Sequence, residues 1–185
     1  MLHFYHGVMG SSKTAQLLMQ RYNYEQLGLK VALIKPAIDT RIDPHTVFSR
    51  IGLRAKADIV LENGNGVKEQ LDWLAVQHAH SVFQFVFVDE AQFLTEEQVR
   101  EMADLADDIE IYCYGLKTDF KGQFFPGSAA LLRYAEDIQE VTGTLCWCGS
   151  KATMNTRVDQ EGNVIREGEQ VVIDDGRKIS YIGLC

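Results

Sequence analysis

Leu2-His3-Phe4-Tyr5-His6-Gly7-Val8-Met9-Gly10-Ser11-Ser12-Lys13-Thr14 is the stretch whose reading decides the fold. An apolar strand, Leu2–His6, runs straight into a glycine-rich turn. Gly7 to Thr14 match a phosphate-binding loop at every position but one: Ser12 stands where the second glycine is expected. Successive backbone N–H groups of such a loop form a concave nest for phosphate oxygens. The helix that follows turns its positive end toward them. Gly7, Val8, Met9, Gly10, Ser11 and Ser12 form the nest, Lys13 reaches the terminal phosphates, and Thr14 holds Mg²⁺ through its hydroxyl. Glycine is preferred where φ must be positive. At negative φ with its side chain outward Ser12 fits; at positive φ the loop is strained and nucleotide binding weakens.

Outward from this loop, strands and helices alternate. Strands are expected at Leu2–His6, Val31–Lys35, Val82–Val88, Glu110–Tyr114 and Ile138–Val141, with a short extra at Asp58–Leu61. Val82–Val88 is nearly all apolar, as a strand buried on both faces requires. Helices are expected at Thr14–Leu27, stopped by Gly28, and at Val67–Ala79. Another, Thr95–Leu105, opens on a capping box of Thr95 and Gln98. A last one, Ala129–Ala135, is capped by Ser128. This alternation predicts an α/β fold, a parallel sheet with helices on both faces. Its ligands sit beyond the carboxyl ends of the strands. After Thr142 helical periodicity stops. Val164–Ile165, Gln170–Ile173 and Ile179–Leu184 are short strand candidates, with a turn at Asp174-Asp175-Gly176. The organisation expected is a phosphate-loop domain, 1–142, followed by a small β-rich unit, 143–185.

The chain has 185 residues, a net charge of −8, 46% hydrophobic and 24% charged residues. That suits a soluble globular protein and argues against a large nonspecific nucleic-acid surface. No apolar run approaches the roughly 18 residues of a membrane span. No signal peptide is legible, and four cysteines read as thiols or metal ligands rather than a disulfide framework. A cytoplasmic protein is expected.

The second chemistry-bearing stretch is Phe85-Val86-Phe87-Val88-Asp89-Glu90. An acid after an apolar strand, downstream of a phosphate loop, places Asp89 to bind Mg²⁺. Glu90 is next in line to accept a proton from an attacking hydroxyl or water. Two acids and a phosphate loop mean phosphoryl transfer but leave the acceptor open.

Several further blocks bear on the acceptor. They are Asp39-Thr40-Arg41, Asp89-Glu90-Ala91-Gln92-Phe93, the run Gly115–Ser128, and Cys148-Gly149 with Ala152, Arg157 and Tyr181. With the phosphate loop, they keep the order and spacing of the type II thymidine kinases, which the whole chain resembles. The Gly115–Ser128 run together with Asp-Glu-Ala-Gln-Phe carries the specificity. The resemblance implies a kinase moving the ATP γ-phosphoryl group to the 5′-hydroxyl of thymidine. It implies a small lasso and zinc-ribbon-like unit after the kinase domain, and a homotetramer. Glu90 falls on the general base, Asp89 on the Mg²⁺ acid, and Arg41 on an arginine beside the transferred group, with Asp39 orienting its loop. Gln92 joins the nucleotide-binding set. Met9, Phe93, Leu116, Phe120 and Phe125 fall on the walls around the thymine ring, and Asn155 and Tyr181 in and after the lasso.

The family's zinc site uses paired cysteines, or a pair with Cys and His, whereas here Cys146-Trp147-Cys148 is one residue short of a Cys-x-x-Cys pair. Cys185 supplies a third candidate ligand. A fourth lies outside this chain, or the site is incomplete, since structural zinc takes four ligands. Cys113, inside a strand, reads as a core thiol. Two other functions fit parts of the text: a nucleic-acid-dependent ATPase, from Asp-Glu-Ala-Gln after a strand, and a non-catalytic nucleotide-binding module with its loop blunted by Ser12. The short chain, its acidic balance and the lack of a second motor domain weigh against the first. The second leaves Glu90 and Arg41 idle.

Overall fold

Apolar residues on alternate positions of buried strands build the core, because successive side chains of a strand point to opposite faces. A computed structural model describes residues 1–38, 43–170 and 179–185. In chain order the elements are β1 (Leu2–His6), α1 (Lys13–Gln26), β2 (Val31–Pro36), β3 (Thr46–Phe48), β4 (Arg54–Lys56), β5 (Ile59–Leu61) and α2 (Val67–Gln77). They continue with β6 (Phe85–Val88), a 3₁₀ turn (Ala91–Phe93), α3 (Glu96–Leu105), β7 (Glu110–Gly115), α4 (Pro126–Tyr134) and β8 (Asp137–Glu140). The last strands are β9 (Met154–Val158), β10 (Val164–Ile165) and β11 (Ser180–Leu184).

Six strands pair in parallel, in the order β5-β2-β6-β7-β1-β8. The two faces differ in chemistry. Leu2, Phe4, Ala32, Ile34, Val86, Val88, Ile111 and Cys113 face α2, α3 and α4, which bury Leu71, Leu74, Val99, Met102 and Leu131 against them. The other face carries Leu33, Phe87, Tyr112 and Tyr114, met by Leu17 and Leu18 of α1 and by Val47 of β3. Its rings stack: Tyr5 on Tyr114 at 4.9 Å and Phe87 on Tyr112 at 5.0 Å, with Tyr24 of α1 edge-on to Phe85 and Phe87. The hydroxyls beneath α1 find partners, Tyr114 on Gln20 Oε1 at 2.8 Å and Tyr24 with Tyr112 at 3.3 Å, as buried phenols require. The α/β fold with helices on both faces is thus as the alternation predicted. After residue 143, β10-β9-β11 form a separate three-stranded antiparallel sheet. No helix among the described residues is long and apolar enough to cross a membrane.

Several expected boundaries move. The strand expected over Val82–Val88 begins only at Phe85, where it first pairs with Val31, and Val82 is 77% exposed. The strand expected at Ile138–Val141 shifts to β8, an edge strand whose Ile138 faces outward. Ser128 is not a cap: α4 starts two residues earlier, with Pro126 in its first turn. Ser128 is buried and donates to the Leu116 carbonyl at 2.5 Å. The β3–β4 hairpin and β9 were not expected from sequence. The polar text around Glu161-Gly162-Asn163 is a closed turn, its Glu161 and Asn163 N–H groups taken by Asp159 Oδ1 at 2.9 and 2.8 Å. The Asp174-Asp175-Gly176 turn, most of Gln170–Ile173, and Asp39, Thr40 and Arg41 lie outside the described residues.

Helix ends are satisfied as their sequences allow. Gly28, at φ +75°, follows α1 and donates to Glu25 O at 2.9 Å. The α3 capping box is formed in both directions, Gln98 N to Thr95 Oγ1 and Thr95 N to Gln98 Oε1. The α2 N-terminus has no side-chain cap of its own, because Gly66 precedes it. Glu101 of α3 supplies the cap, accepting from Val67 N at 2.6 Å and Lys68 N at 3.1 Å. A carboxylate on two N–H groups at a helix start is a charge-assisted contact. Glu101→Ala leaves those donors unmatched and is expected to lower the unfolding free energy by about 1–3 kcal/mol. Urea unfolding checks this, and an unchanged midpoint would show that water caps α2 equally well.

Candidate active site

The phosphate loop hangs on close packing. A Cβ at Gly7 would sit 2.5 Å from Ser11 Oγ and 2.7 Å from Val141 O, so residue 7 has no room for a side chain. Gly7 N–H bonds Gly115 O at 3.3 Å, Ser11 N–H closes a turn on Val8 O at 3.2 Å, and Gly10 has φ +82°. Ser12 takes φ +65°, ψ +20°, the left-handed region. The strained alternative is therefore the one adopted at the position where the phosphate-loop pattern has glycine. Lys13 Nζ donates to Gly7 O and Val8 O, both at 2.9 Å, and to Ser11 Oγ at 3.3 Å.

Asp89 and Glu90 leave β6 at the same end of the sheet. Asp89 is buried and accepts the Thr14 hydroxyl on both carboxylate oxygens, at 3.1 and 3.2 Å. Three hard oxygen atoms thus meet where the loop, α1 and β6 converge, a donor set that suits Mg²⁺. Glu90 sits at φ +51°, a second left-handed non-glycine residue beside the loop. Its carboxylate accepts from Gln92 Nε2 at 2.5 Å, while Gln92 Oε1 accepts Leu116 N–H at 3.0 Å. Gln92 is buried, and Gly115 leaves room for it: a Cβ there would lie 2.7 Å from Gln92 Oε1. Gln92, assigned from sequence to the nucleotide, thus braces Glu90 and the start of the 116–125 segment.

A cavity of about 330 Å³ opens among these groups, lined by Met9, Gly10, Ser12, Lys13, Thr14, Asp89, Glu90 and Leu116 from the expected set. Its far wall is the β3–β4 hairpin, with Thr46, Phe48, Ser49, Arg50 and Ile51, and Lys35 lies at its floor. Sequence reading missed these. Lys35 is buried at the end of β2, and its Nζ holds Asp43 O at 3.1 Å and Thr46 O at 2.9 Å, anchoring the hairpin. A lysine closing the apolar run Val31–Ile34 was the available signal. His6, at the end of β1, is held below the usual imidazole range by burial first, then by Lys117, with Lys13 and Lys151 adding to the effect against Glu140.

Of the expected base-ring walls, Met9 and Leu116 line this cavity, and the three phenylalanines pack in two separate contacts. Phe93 meets Phe125 edge-on at 5.8 Å. Arg157 covers Phe120 with its guanidinium 3.8 Å from the ring centroid. Arg157 is buried, donates to the Tyr181 hydroxyl at 2.9 and 2.6 Å, and reaches Glu169 O at 2.7 Å. It therefore joins Phe120 and Tyr181, two of the four aromatic positions predicted for the site, a role sequence reading did not give it. Asn155 is buried between Met9 N and Thr118 O, at 2.7 Å from each. Asp119 caps the turn that follows, taking Lys121 N at 2.8 Å and Gln123 N at 2.9 Å. Arg41 and Asp39 lie outside the described residues.

The three C-terminal cysteines do converge. A turn closed by Gly149 N on Cys146 O, with Gly149 at φ +83°, folds Cys146 and Cys148 onto Cys185. The three thiol sulfurs lie within 4.8 Å of one another, Cys148 and Cys185 at 3.7 Å. Trp147, between the first two, is 70% exposed. Cys148 is pulled down to about 6 by hydrogen bonds, first from Ser150, then from Cys146 and Cys185. Clustered thiols with one readily ionised member suit a soft divalent metal. Cys113 is a core thiol, pushed well up by burial.

The thymidine kinase family model matches residues 1–185. The thymidine kinase of Legionella pneumophila (strain Lens) is 42% identical over 186 residues, covering 100% of this chain and 86% of that one. Those of Yersinia pseudotuberculosis and Escherichia coli (strain K12) are each 39% identical, covering 100% of this chain and 91% and 87% of theirs.

Strain at Ser12 is measurable without any ligand. Ser12→Gly is expected to raise the unfolding free energy by about 1 kcal/mol, because the left-handed penalty exceeds the entropy cost of glycine. Ser12→Val is expected to lower it. Equal stability of Ser12→Gly and the wild type in urea would mean that residue 12 carries no strain.

Proposed function

This chain belongs to the thymidine kinase family, and from that membership we propose how its residues transfer the ATP γ-phosphoryl group to the 5′-hydroxyl of thymidine, giving dTMP and ADP. The observation that carries the assignment of roles is the convergence of Thr14, Asp89 and Glu90 on one cavity at the carboxyl ends of the strands. The first-turn N–H groups of α1 and the loop nest hold the phosphates. Lys13 exchanges its loop carbonyls for phosphate oxygens. Thr14 and Asp89 would hold Mg²⁺, which would supply positive charge to offset that of the transferring phosphates.

Glu90 accepts the 5′-hydroxyl proton as the oxygen attacks the γ-phosphorus in line; the new P–O bond forms while the bond to the ADP oxygen breaks. Its carboxylate is held for this by Gln92. Arg41 is assigned to the equatorial phosphoryl oxygens, where a guanidinium fork fits. The stacked Phe120–Arg157–Tyr181 group and the Phe93–Phe125 pair border the thymine. Met9 and Leu116 sit between the two regions. Residues 1–142 and 143–185 act as the kinase and lasso units, and the working form is a homotetramer. Cys146, Cys148 and Cys185 would supply three of the four ligands of a structural Zn²⁺.

Incubation with ATP and Mg²⁺ is expected to convert thymidine to dTMP, with little product from uridine and no stimulation by single-stranded DNA. ATP turnover that needs DNA and ignores thymidine would replace this reading with an ATPase. Glu90→Gln is expected to lower kcat about a hundred- to ten-thousand-fold with ATP binding kept. Elemental analysis is expected to give stoichiometric zinc, and bound zinc to protect Cys148 from alkylation. Protein with no stoichiometric zinc removes the metal from this account.

A further inference from the structure

Asn155 stands on β9, outside the parallel sheet, yet its carboxamide is used at both ends. Oδ1 accepts the N–H of Met9 in the phosphate loop, and Nδ2 donates to the carbonyl of Thr118, each at 2.7 Å. It is 4% exposed, so both bonds are shielded from water. The Met9 N–H belongs to the same peptide unit as the Val8 carbonyl. That carbonyl accepts Lys13 Nζ at 2.9 Å and Ser11 N–H at 3.2 Å. A planar peptide cannot turn one end without the other. Asn155 therefore sets the direction of the carbonyl that holds Lys13. Thr118, on its other side, follows Leu116 and precedes Phe120, two of the residues bordering the base.

The small sheet is shaped for this contact. Gly183 of β11 pairs in register with Asn155, so both positions present the same face. A Cβ at Gly183 would lie 2.8 Å from Val8 Cγ2, so the loop rests directly on the backbone there while Asn155 reaches past it. We propose that Asn155 is a positioning residue that links the thymidine side of the site to the phosphate loop, through Thr118, the 8–9 peptide and Lys13. Ordering of the base-side segment then favours the loop shape that takes ATP, and the reverse holds equally, because coupling between two sites is reciprocal. This rests on the roles given under Proposed function.

The test uses the full chain as wild type, Asn155→Leu and Asn155→Asp. Leucine removes both bonds at similar size. Aspartate keeps an acceptor for Met9 N–H but turns an oxygen toward the Thr118 carbonyl. Thymidine affinity is measured by calorimetry with and without a saturating non-hydrolysable ATP analogue and Mg²⁺. The wild type is expected to bind thymidine about fivefold or more tighter with the analogue present. Both variants are expected to lose most of that factor. Asn155→Leu is also expected to raise the KM for ATP, and Asn155→Asp to keep it nearer to the wild-type value. A lowered Tm with the linkage factor intact in either variant overturns the proposal, as does a wild type with no linkage. A wild type that binds no thymidine overturns the functional reading instead. In that case analogue affinity alone decides the loop's dependence on Asn155: weakened in Asn155→Leu it upholds that dependence, and unchanged it overturns it.

Discussion

The Thr14 hydroxyl on the Asp89 carboxylate is the contact on which the rest of the site depends. β1 and β6 are not neighbours, since β7 lies between them. What brings the loop after β1 to the acid after β6 is α1, whose first turn crosses over β7. A hydroxyl suits this junction better than a charge would. It donates to the carboxylate and by rotating can present lone pairs to a cation. Asp89 thus keeps a partner in the protein and remains able to serve a metal.

The two faces of the sheet explain why the chemistry sits where it does. Three helices cover the aliphatic face and make it the rigid foundation, with α3 tied to the start of α2 by Glu101 and to the turn before it by Gln98. The aromatic face has α1 and the short β3–β4 hairpin over it, and both border the cavity. Two non-glycine residues take left-handed conformations beside that cavity: Ser12, between the tightly packed Gly7 turn and the start of α1, and Glu90, whose carboxylate is held by Gln92. Strained backbone persists only where its surroundings over-determine it.

The parallel sheet was legible because its strands read as apolar runs and its helices as punctuated periods; the α3 capping box could be read residue by residue. Boundaries failed where composition and burial part company. Val82 is apolar but unpaired, and Ser128 looks like a cap but lies after Pro126 has already started the helix. The hairpin was illegible because its three-residue strands carry mostly partly exposed side chains. Of the site, the local motifs were readable: the loop, Asp89, Glu90. The contacts of Arg157 and Asn155 were not, because their partners are distant in sequence, Met9 and Asn155 being 146 residues apart; those of Gln92 and Lys35 were not, because each holds backbone groups of segments that no periodic pattern marks. The sign of φ at Ser12 is likewise a tertiary property, since serine permits either.

The placement of the two tryptophans decides what optical spectroscopy of this protein can see. Trp73 on α2 and Trp147 in the cysteine turn are both largely solvated, and neither joins the tyrosine and phenylalanine stacks. Indole emission responds to the polarity around the ring, and here that polarity is already close to water in the folded chain. Global unfolding therefore moves the emission maximum little, and far-ultraviolet dichroism is the better gauge of it. Trp147, flanked by Cys146 and Cys148, is instead a built-in reporter of events at the thiol cluster.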